Sequence, residues 1–223
     1  MSEALASGRL DARFFAPRIQ ALLDFWAVDR RIVADVADPR REKFCPDLCA
    51  AFDHSEISDI DGAGAATSTR IAADDAPSRA TWHVRAGDII TSAVRPIRRL
   101  SAQIAPEQDG FVCPSGFVVV TPRHIAPEVL LTHLRLPMIC ELLDLYASAS
   151  MYPAITDSDI FNLPLPHIPD DVANQVTQNV IAAREARGHA SVMLQAAKRA
   201  VDIAIEDGEA AAMSWLDDSE AAV

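Results

Sequence analysis

The residues best suited to binding chemistry are the arginines of the segment Arg95-Pro96-Ile97-Arg98-Arg99. Between Arg85 and Arg99 the chain has four arginines and a single acid, Asp88. A guanidinium group is planar, permanently charged and carries hydrogen-bond donors in a fixed geometry, so it binds anions and paired acceptors. We therefore expect Arg95, Arg98 and Arg99 to form the main recognition group. The alternative is that each is an ordinary solvated surface charge.

Two further basic groups precede this segment, and the charge of the chain is unevenly distributed. The groups are Arg70 with Arg79, and Arg40 with Arg41 and Lys43. Residues 1–100 contain 14 Lys and Arg against 15 Asp and Glu, whereas residues 101–223 contain 6 against 17. The formal net charge of −12 therefore resides almost entirely in the second half. A polyanion-binding surface in the first half is compatible with this distribution, while the second half faces proteins or solvent.

Motifs for catalysis and for metal binding are not found in the sequence. Gly62-Ala63-Gly64 lacks the preceding strand and the third glycine of a nucleotide-binding loop, and Ser115 lacks the flanking glycines of a nucleophile elbow. Cys45, Cys49 and His54 have neither the usual spacing nor a second pair of ligands for zinc. The sequence favours a protein that is not an enzyme and that holds no metal.

The elements that must position the arginines alternate along the first 168 residues. Apolar spacing predicts a helix over 14–32, and proline and polar residues predict a loop over 38–47. Residues 53–80 are rich in Asp, Gly, Ser, Thr and Ala and are expected to form a long connection or a mobile loop. β-branched residues predict strands within 82–94, 100–104 and 111–121. Pro127 opens a helix that Pro137 interrupts and that continues to Tyr146.

A long helix is predicted from about Asp170 to Asp207, because two carboxylates suit its first turn and Gly208 follows its end. At 1.5 Å per residue its length is about 50–55 Å, too long for a domain of this size to bury along its whole length. Either it is an ordinary core helix or it pairs with another helix. The pairing seam has heptad spacing and consists of Val176, Val180, Ala183, Ala190, Leu194, Ala197 and Val201.

Four ordered segments of the chain resemble conserved segments of the DNA specificity subunits of type I restriction-modification systems. Each segment alone is a weak indicator, but together they cover residues 10 to about 205 in the order of that family. They are Leu10–Pro17, Gly87–Ser92 (Gly-Asp-Ile-Ile-Thr-Ser), Pro114–Val120, and the junction from Tyr152-Pro153-Ala154-Ile155 through Asp159–Pro166 that leads to Gln175 in the long helix.

The resemblance implies an α/β (α+β) target-recognition domain followed by one long C-terminal coiled-coil helix. The expected boundaries are 1–168 for the recognition domain, 169–207 for the dimerisation and docking helix, and 208–223 for an acidic tail. Full-length members carry two recognition domains and two helical regions, so a chain with one of each is expected to pair with a second half-subunit. The expected partners are double-stranded DNA and a modification methyltransferase. The chain itself needs no cofactor, and S-adenosylmethionine belongs to the methyltransferase. No run of residues is apolar and long enough to span a membrane, and we expect a cytoplasmic location.

Within this resemblance, the arginines acquire specific roles. Arg95, Arg98 and Arg99, then Arg70 and Arg79, are expected to read bases, because arginine is the commonest side chain at base edges. Contacts to the DNA phosphates are expected from Arg40, Arg41 and Lys43. The alternative function is a non-DNA-binding adaptor of a defence complex. Pairing of Arg95, Arg98 and Arg99 with acids such as Asp59, Asp61 or Asp88 favours that alternative, and a shared positive face favours DNA recognition.

Overall fold

The structure is a computed structural model that describes residues 12, 14–26, 31–147 and 154–220. Parts of the first and last resemblance segments, residues 10, 11, 13, 152 and 153, lie outside this description. The described helices are α1 (Pro17–Trp26), α2 (Pro127–Leu134), α3 (Pro137–Tyr146), α4 (Asp157–Phe161), α5 (Asp170–Asp207) and α6 (Glu209–Glu220). The described strands are β1 (Ala37–Pro39), β2 (Ala51–His54), β3 (Thr69–Ala72), β4 (Ala80–His83), β5 (Ile89–Ser92), β6 (Ser101–Gln103), β7 (Val112–Pro114) and β8 (Phe117–Pro122).

The strands form two four-stranded sheets. The first sheet has the order β1-β8-β5-β6 and is antiparallel throughout. The second sheet has the order β3-β2-β7-β4, in which β2 and β7 are parallel and the other pairs antiparallel. The mixed α/β fold with a long C-terminal helix confirms the fold class expected from the sequence.

The first sheet is buried on both faces, and its sequence explains why. Successive side chains of a strand point to opposite faces. Accordingly Ile89 of β5 packs in one core with helices α2, α3 and α4, whereas Ile90 packs in a second core with Cys113 of the second sheet. Val118 and Val119 of β8 divide in the same way. A strand with two apolar faces has a continuous apolar run, as β8 has over Phe117–Val120. β5 combines Ile89 and Ile90 with the buried hydroxyl residues Thr91 and Ser92.

The core on the helical side is closed by the segment Leu163-Pro164-Leu165. The Leu163 and Leu165 side chains are fully buried, and the Val33 amide donates to the Leu163 carbonyl over 3.0 Å. The Pro164 carbonyl accepts a hydrogen bond of 3.0 Å from Nε2 of His133, a residue of α2 that is only 4% exposed. Burial lowers the pKa of His133 to about 4. The segment 163–165 therefore binds both α2, through His133, and the short turn at Val33 to the same core.

Two segments that the sequence predicts as loops contain strands. β1 overlaps the predicted loop 38–47 at Asp38 and Pro39, and β3 lies within 53–80 and pairs with β2 from Ala51↔Ala72 to His54↔Thr69. Residues 53–80 are therefore not a long connection without regular structure. The turn at 61–65 is ordered by Asp61, whose carboxylate accepts from the amides of Ala63 (2.7 Å) and Ala65 (2.9 Å).

The long C-terminal helix is present as predicted. α5 runs from Asp170 to Asp207 with both aspartates in its first turn, and Gly208 ends it in a left-handed conformation with φ 94°. Its 38 residues span about 57 Å at 1.5 Å per residue. A second helix, α6, lies in the segment designated an acidic tail. By its contacts the chain divides into two compact units, 1–173 and 174–223. None of the described helices is long and apolar enough to cross a membrane.

The burial of His133 predicts a loss of stability in mild acid. In the unfolded chain the imidazole binds a proton near pH 6.5, whereas in the fold it stays neutral until about pH 4, so unfolding takes up a proton between these values. The contribution of neutral His133 to the free energy of unfolding is therefore fully present above about pH 6.5. It falls by about 3 kcal/mol as the pH is lowered towards 4. Urea titrations of the wild type and of His133→Gln between pH 7 and 4 measure this difference. The glutamine amide keeps the bond to Pro164 but does not titrate, so equal pH slopes in the two proteins would refute the assignment.

Candidate functional site

The arginine loop, residues 95–99, has an unusual backbone. It is a short 3-10 turn, Pro96–Arg98, between two residues in left-handed conformations, Arg95 (φ 51°, ψ 61°) and Arg99 (φ 60°, ψ 34°). Among the described residues these two arginines are the non-glycine residues with positive φ. Such conformations cost about 1–3 kcal/mol each and persist where the surroundings impose them. The loop is therefore held in its shape by its neighbours.

The arginine loop projects its charges into solvent. Arg95, Arg98 and Arg99 are exposed, and within the described part of the chain no carboxylate forms an ion pair with any of them. Ile97, at the tip between them, is 50% exposed, while Pro96 is buried. Three cations and one apolar side chain thus face outward from one rigid turn.

Arg135, at the C-terminal end of α2, anchors this loop. Its guanidinium donates to the carbonyls of Arg99 (3.0 Å) and Ser101 (2.7 Å) and also to that of Gly62 in the 61–65 turn. In return, Nε of Arg99 donates to the Arg135 carbonyl over 2.8 Å. That carbonyl lies at the negative end of the α2 dipole, where a cation is favourable. Two separate loops are thereby joined at one guanidinium.

Arg40 is engaged with Asp88, the aspartate of the Gly-Asp-Ile-Ile segment. The Asp88 side chain is 1% exposed and accepts from Nε and Nη2 of Arg40, from the Thr121 hydroxyl (2.7 Å) and from the Arg85 amide (2.8 Å). A buried carboxylate is tolerated only with such partners. The Arg40 guanidinium is therefore committed to the interior of the fold, which leaves it less available to a ligand than the arginine loop.

The other candidate arginines outside the loop are paired with carboxylates near the surface. Arg41 pairs with Asp157, and its guanidinium carbon lies 5.2 Å from the centre of the Trp82 ring. Arg70 pairs with Asp53 and Arg79 with Glu56, and both arginines are exposed. Exposed pairs contribute little to stability and exchange partners easily, so these arginines remain open to an external anion.

Lys43 and Arg70 line a common cleft of about 430 Å³. Aromatic side chains form its walls, with the Phe44 ring 4.3 Å from that of Phe52 and edge-on to His83. Asp53, Glu107 and Asp109 also line it, so the cleft has no excess of positive charge. The structure therefore places Lys43 and Arg70 on one cleft. Arg40 does not line this cleft and binds Asp88 instead.

The candidate metal ligands of the sequence are in different environments. Cys45 and Cys49 are exposed thiols, whereas His54 is buried on β2, where burial lowers its pKa. In the ranges that the structure describes, no group of three or more His, Cys, Asp or Glu side chains is arranged to hold a metal ion.

The predicted seam of α5 is largely solvent-exposed. Val176 and Val180 are half-buried, Ala183, Ala190 and Ala197 are exposed, and Leu194 and Val201 are 56% and 58% exposed. The helix buries a different face, that of Ala200 and Ile203. With residues advancing by about 100° each around a helix, Ile203 lies on nearly the opposite side from Leu194 and Val201.

Sequence reasoning missed Arg135 and Arg85. Arg85 binds Glu42 through two donors and lowers the pKa of that carboxyl group. Both arginines stand alone in the sequence, and their partners Gly62 and Glu42 lie 73 and 43 residues away. A local sequence pattern cannot indicate contacts between residues so far apart. The one usable signal for the Arg135 site was the Asp61–Gly64 sequence, which predicts a tight turn.

Comparisons with known proteins identify relatives by structure. No protein-family profile and no curated protein sequence matches the chain. A chain of a type I R-M system, from work on its complex assembly and conformational transition, is similar with a TM-score of 0.58 and 27% identity, over 77% of this chain and 45% of that one. The HsdS subunit from Thermoanaerobacter tengcongensis is similar with a TM-score of 0.59 and 27% identity, over 78% and 46%. The chain thus spans less than half the length of these proteins, and the resemblance found in its sequence is confirmed.

The different settings of Arg40 and Arg98 predict a large loss of stability for one and almost none for the other on the same substitution. Arg40→Gln leaves the buried Asp88 carboxylate without its charged partner and should lower the free energy of unfolding by about 3 kcal/mol. Arg98→Gln removes an exposed charge and should change it by less than about 0.5 kcal/mol. Urea denaturation followed by circular dichroism measures both. Equal effects of the two substitutions would show that Arg40 is not a structural residue.

Proposed function

We propose that this chain, which shares its fold with type I R-M specificity subunits, is a DNA recognition subunit that directs a partner adenine methyltransferase to a short duplex sequence. In this role the chain performs no chemistry. The partner binds S-adenosylmethionine and transfers the methyl group. The chain contributes the contacts that select the site.

The arginine loop is the observation that carries this proposal. Arg95 and Arg98 are exposed, have no acidic partner in the described residues, and sit on a rigid turn with an outward-facing Ile97. A fixed guanidinium can bind two acceptors of a guanine edge, and an apolar side chain can contact a thymine methyl group. Rigidity matters because a preformed loop loses little conformational entropy on binding.

The loss of other basic residues to internal ion pairs limits the expected affinity. Arg40 is held by the buried Asp88, and Arg41 has to exchange Asp157 for an external anion. Lys43 lines a cleft that three carboxylates also line. Few cations remain for the DNA backbone, which normally supplies much of the binding free energy. We therefore infer that the chain alone binds DNA weakly and that the methyltransferase supplies most phosphate contacts.

The same ion pairs, with the net charge of −12, are the observations that favour the alternative function. An adaptor that retains the fold and binds only proteins needs no unpaired cations. The arginine loop distinguishes the two proposals, because an adaptor gives no reason for two exposed arginines in a strained turn without acidic partners.

The exposed seam of α5 supports a role in pairing with a second half-subunit and in docking the methyltransferase. Leu194 and Val201 present apolar surface on a side of the helix that the described residues leave exposed. The alanines at 183, 190 and 197 allow the backbone of a partner helix to approach closely. Whether the second subunit is an identical copy follows from the symmetry of the recognised sequence.

Recognition by the arginine loop predicts a defined effect on DNA methylation. The chain is co-expressed with its methyltransferase, and modified bases are mapped across a plasmid by long-read sequencing. The wild type should give one methylated motif, and Arg95→Gln with Arg98→Gln should abolish it or relax it at the positions that the loop reads, by about 1–3 kcal/mol of discrimination for each lost contact.

The matched control is Arg123→Gln, which removes an exposed arginine that pairs with Asp38 and is not among the expected DNA contacts. This variant should retain the motif. An unchanged motif in the loop variant would reject the arginine loop as the reading element. A stable complex with the methyltransferase that yields no motif, even with the wild-type chain, would establish the adaptor function.

Pairing through the α5 seam predicts that charges placed there dissociate the assembly. Leu194→Asp with Val201→Asp should yield a monomer in multi-angle light scattering, because two carboxylates would be buried in an apolar interface. Val192→Asp is the control, since Val192 is equally exposed at 54% but lies on nearly the opposite side of the helix. A dimer that survives the double substitution would exclude the seam.

A further inference from the structure

We infer that Arg135 is a positioning residue that fixes the arginine loop in its recognition conformation. The inference rests on the proposed function only for what the loop recognises. Its mechanical part, that one side chain sets the shape of residues 95–101, rests on the contacts of Arg135 alone.

The first argument is the reciprocity of the contacts. The Arg135 side chain binds the Arg99 carbonyl, and the Arg99 side chain binds the Arg135 carbonyl. The two residues thus hold each other by both their main chains and their side chains. Arg99 has a left-handed backbone, so the anchored residue is also one of the two strained ones.

The second argument is the balance of strain and anchoring. Left-handed arginines are strained, and such backbones persist only where neighbouring groups impose them. Hydrogen bonds from a charged donor are stronger than those between neutral groups, and Arg135 donates two of them to this loop, at Arg99 and Ser101. We therefore expect that removal of the guanidinium loosens the loop.

The third argument is the bridge to the 61–65 turn. The Arg135 guanidinium also binds the Gly62 carbonyl, and it lies so close to Gly64 that a Cβ atom there would be 3.2 Å from its Nη1 and 3.2 Å from the Ser101 carbonyl. Gly64 has a φ of 88°, which favours glycine as well. The turn and the arginine loop are therefore packed around one side chain.

These contacts give the arginines of the loop different roles. Arg99 donates its Nε hydrogen to the Arg135 carbonyl at the end of α2, whereas in the described residues no hydrogen bond or ion pair engages the Arg95 and Arg98 side chains. Arg99 and Arg135 therefore anchor the loop, and Arg95 and Arg98 read the DNA. A lysine cannot replace Arg135, because one ammonium group cannot reach three carbonyls on two loops as a planar guanidinium does.

The test is Arg135→Lys, which conserves the charge and changes the geometry. Hydrogen exchange of the chain without DNA should show the amides of Arg98, Arg99 and Ser101 exchanging about tenfold faster, while those of Ile90 and Val119 in the central sheet keep their rates. With the methyltransferase, the methylated motif should become degenerate at the positions that Arg95→Gln with Arg98→Gln affects. A purely structural residue would lower stability and methylation yield without changing which bases are selected.

Two matched controls complete the experiment. Arg123→Lys alters an arginine that binds Asp38 and the Ala34 carbonyl instead of the loop, and it should leave loop exchange and motif unchanged. Gly64→Ala should reproduce the effect of Arg135→Lys by displacing the guanidinium, whereas Gly62→Ala, whose Cβ meets no atom within 4 Å, should not.

The outcomes separate this inference from the proposed function. Wild-type exchange of the loop amides in Arg135→Lys overturns the positioning role, whatever the motif. A loosened loop with an unchanged motif also overturns it, provided that Arg95→Gln with Arg98→Gln does change the motif. If neither variant changes the motif, the error lies in the reading role assigned to the loop.

Discussion

The buried carboxylate of Asp88 is the constraint on which the α/β domain depends. It has to be neutralised away from water, and it recruits partners from three parts of the chain: the Arg40 guanidinium, the Thr121 hydroxyl and the Arg85 amide. These partners fix the end of β1, the end of β8 and the turn that enters β5. These polar contacts hold β1, β8 and β5 of the first sheet together in addition to its apolar packing. The arginine loop inherits this alignment, since it follows β5 directly.

Much of the fold could be predicted from the sequence, because its strongest signals are local. Local structure is indicated directly by the apolar run Phe117–Val120 of β8, by the prolines that open α2 and α3, and by Gly208 at the end of α5. β1, β2 and β3 were missed because each has only three or four residues. β1 and β3 are also edge strands, since each pairs with one neighbour only in the described sheets, and such strands need little apolar surface.

The candidate site could be predicted only in part, for a related reason. Local composition identifies the arginines at 95, 98 and 99, but it cannot tell a free guanidinium from a paired one. The partner of Arg40 lies 48 residues away and that of Arg41 more than one hundred. The fold therefore decides which arginines form internal ion pairs and which remain available to a ligand. The family resemblance predicted the correct fold, but it did not predict which arginines are paired.

The anchor of the arginine loop is made to main-chain oxygens, those of Gly62, Arg99 and Ser101. Every amino acid has this oxygen, so the anchor itself places no demand on the side chains of residues 95–98. Pro96 is buried and Arg95 has a left-handed backbone, so the positions that can change most freely are the exposed Ile97 and Arg98. Under the proposed function, single substitutions at these two positions can change the sequence preference while the scaffold that holds them stays the same.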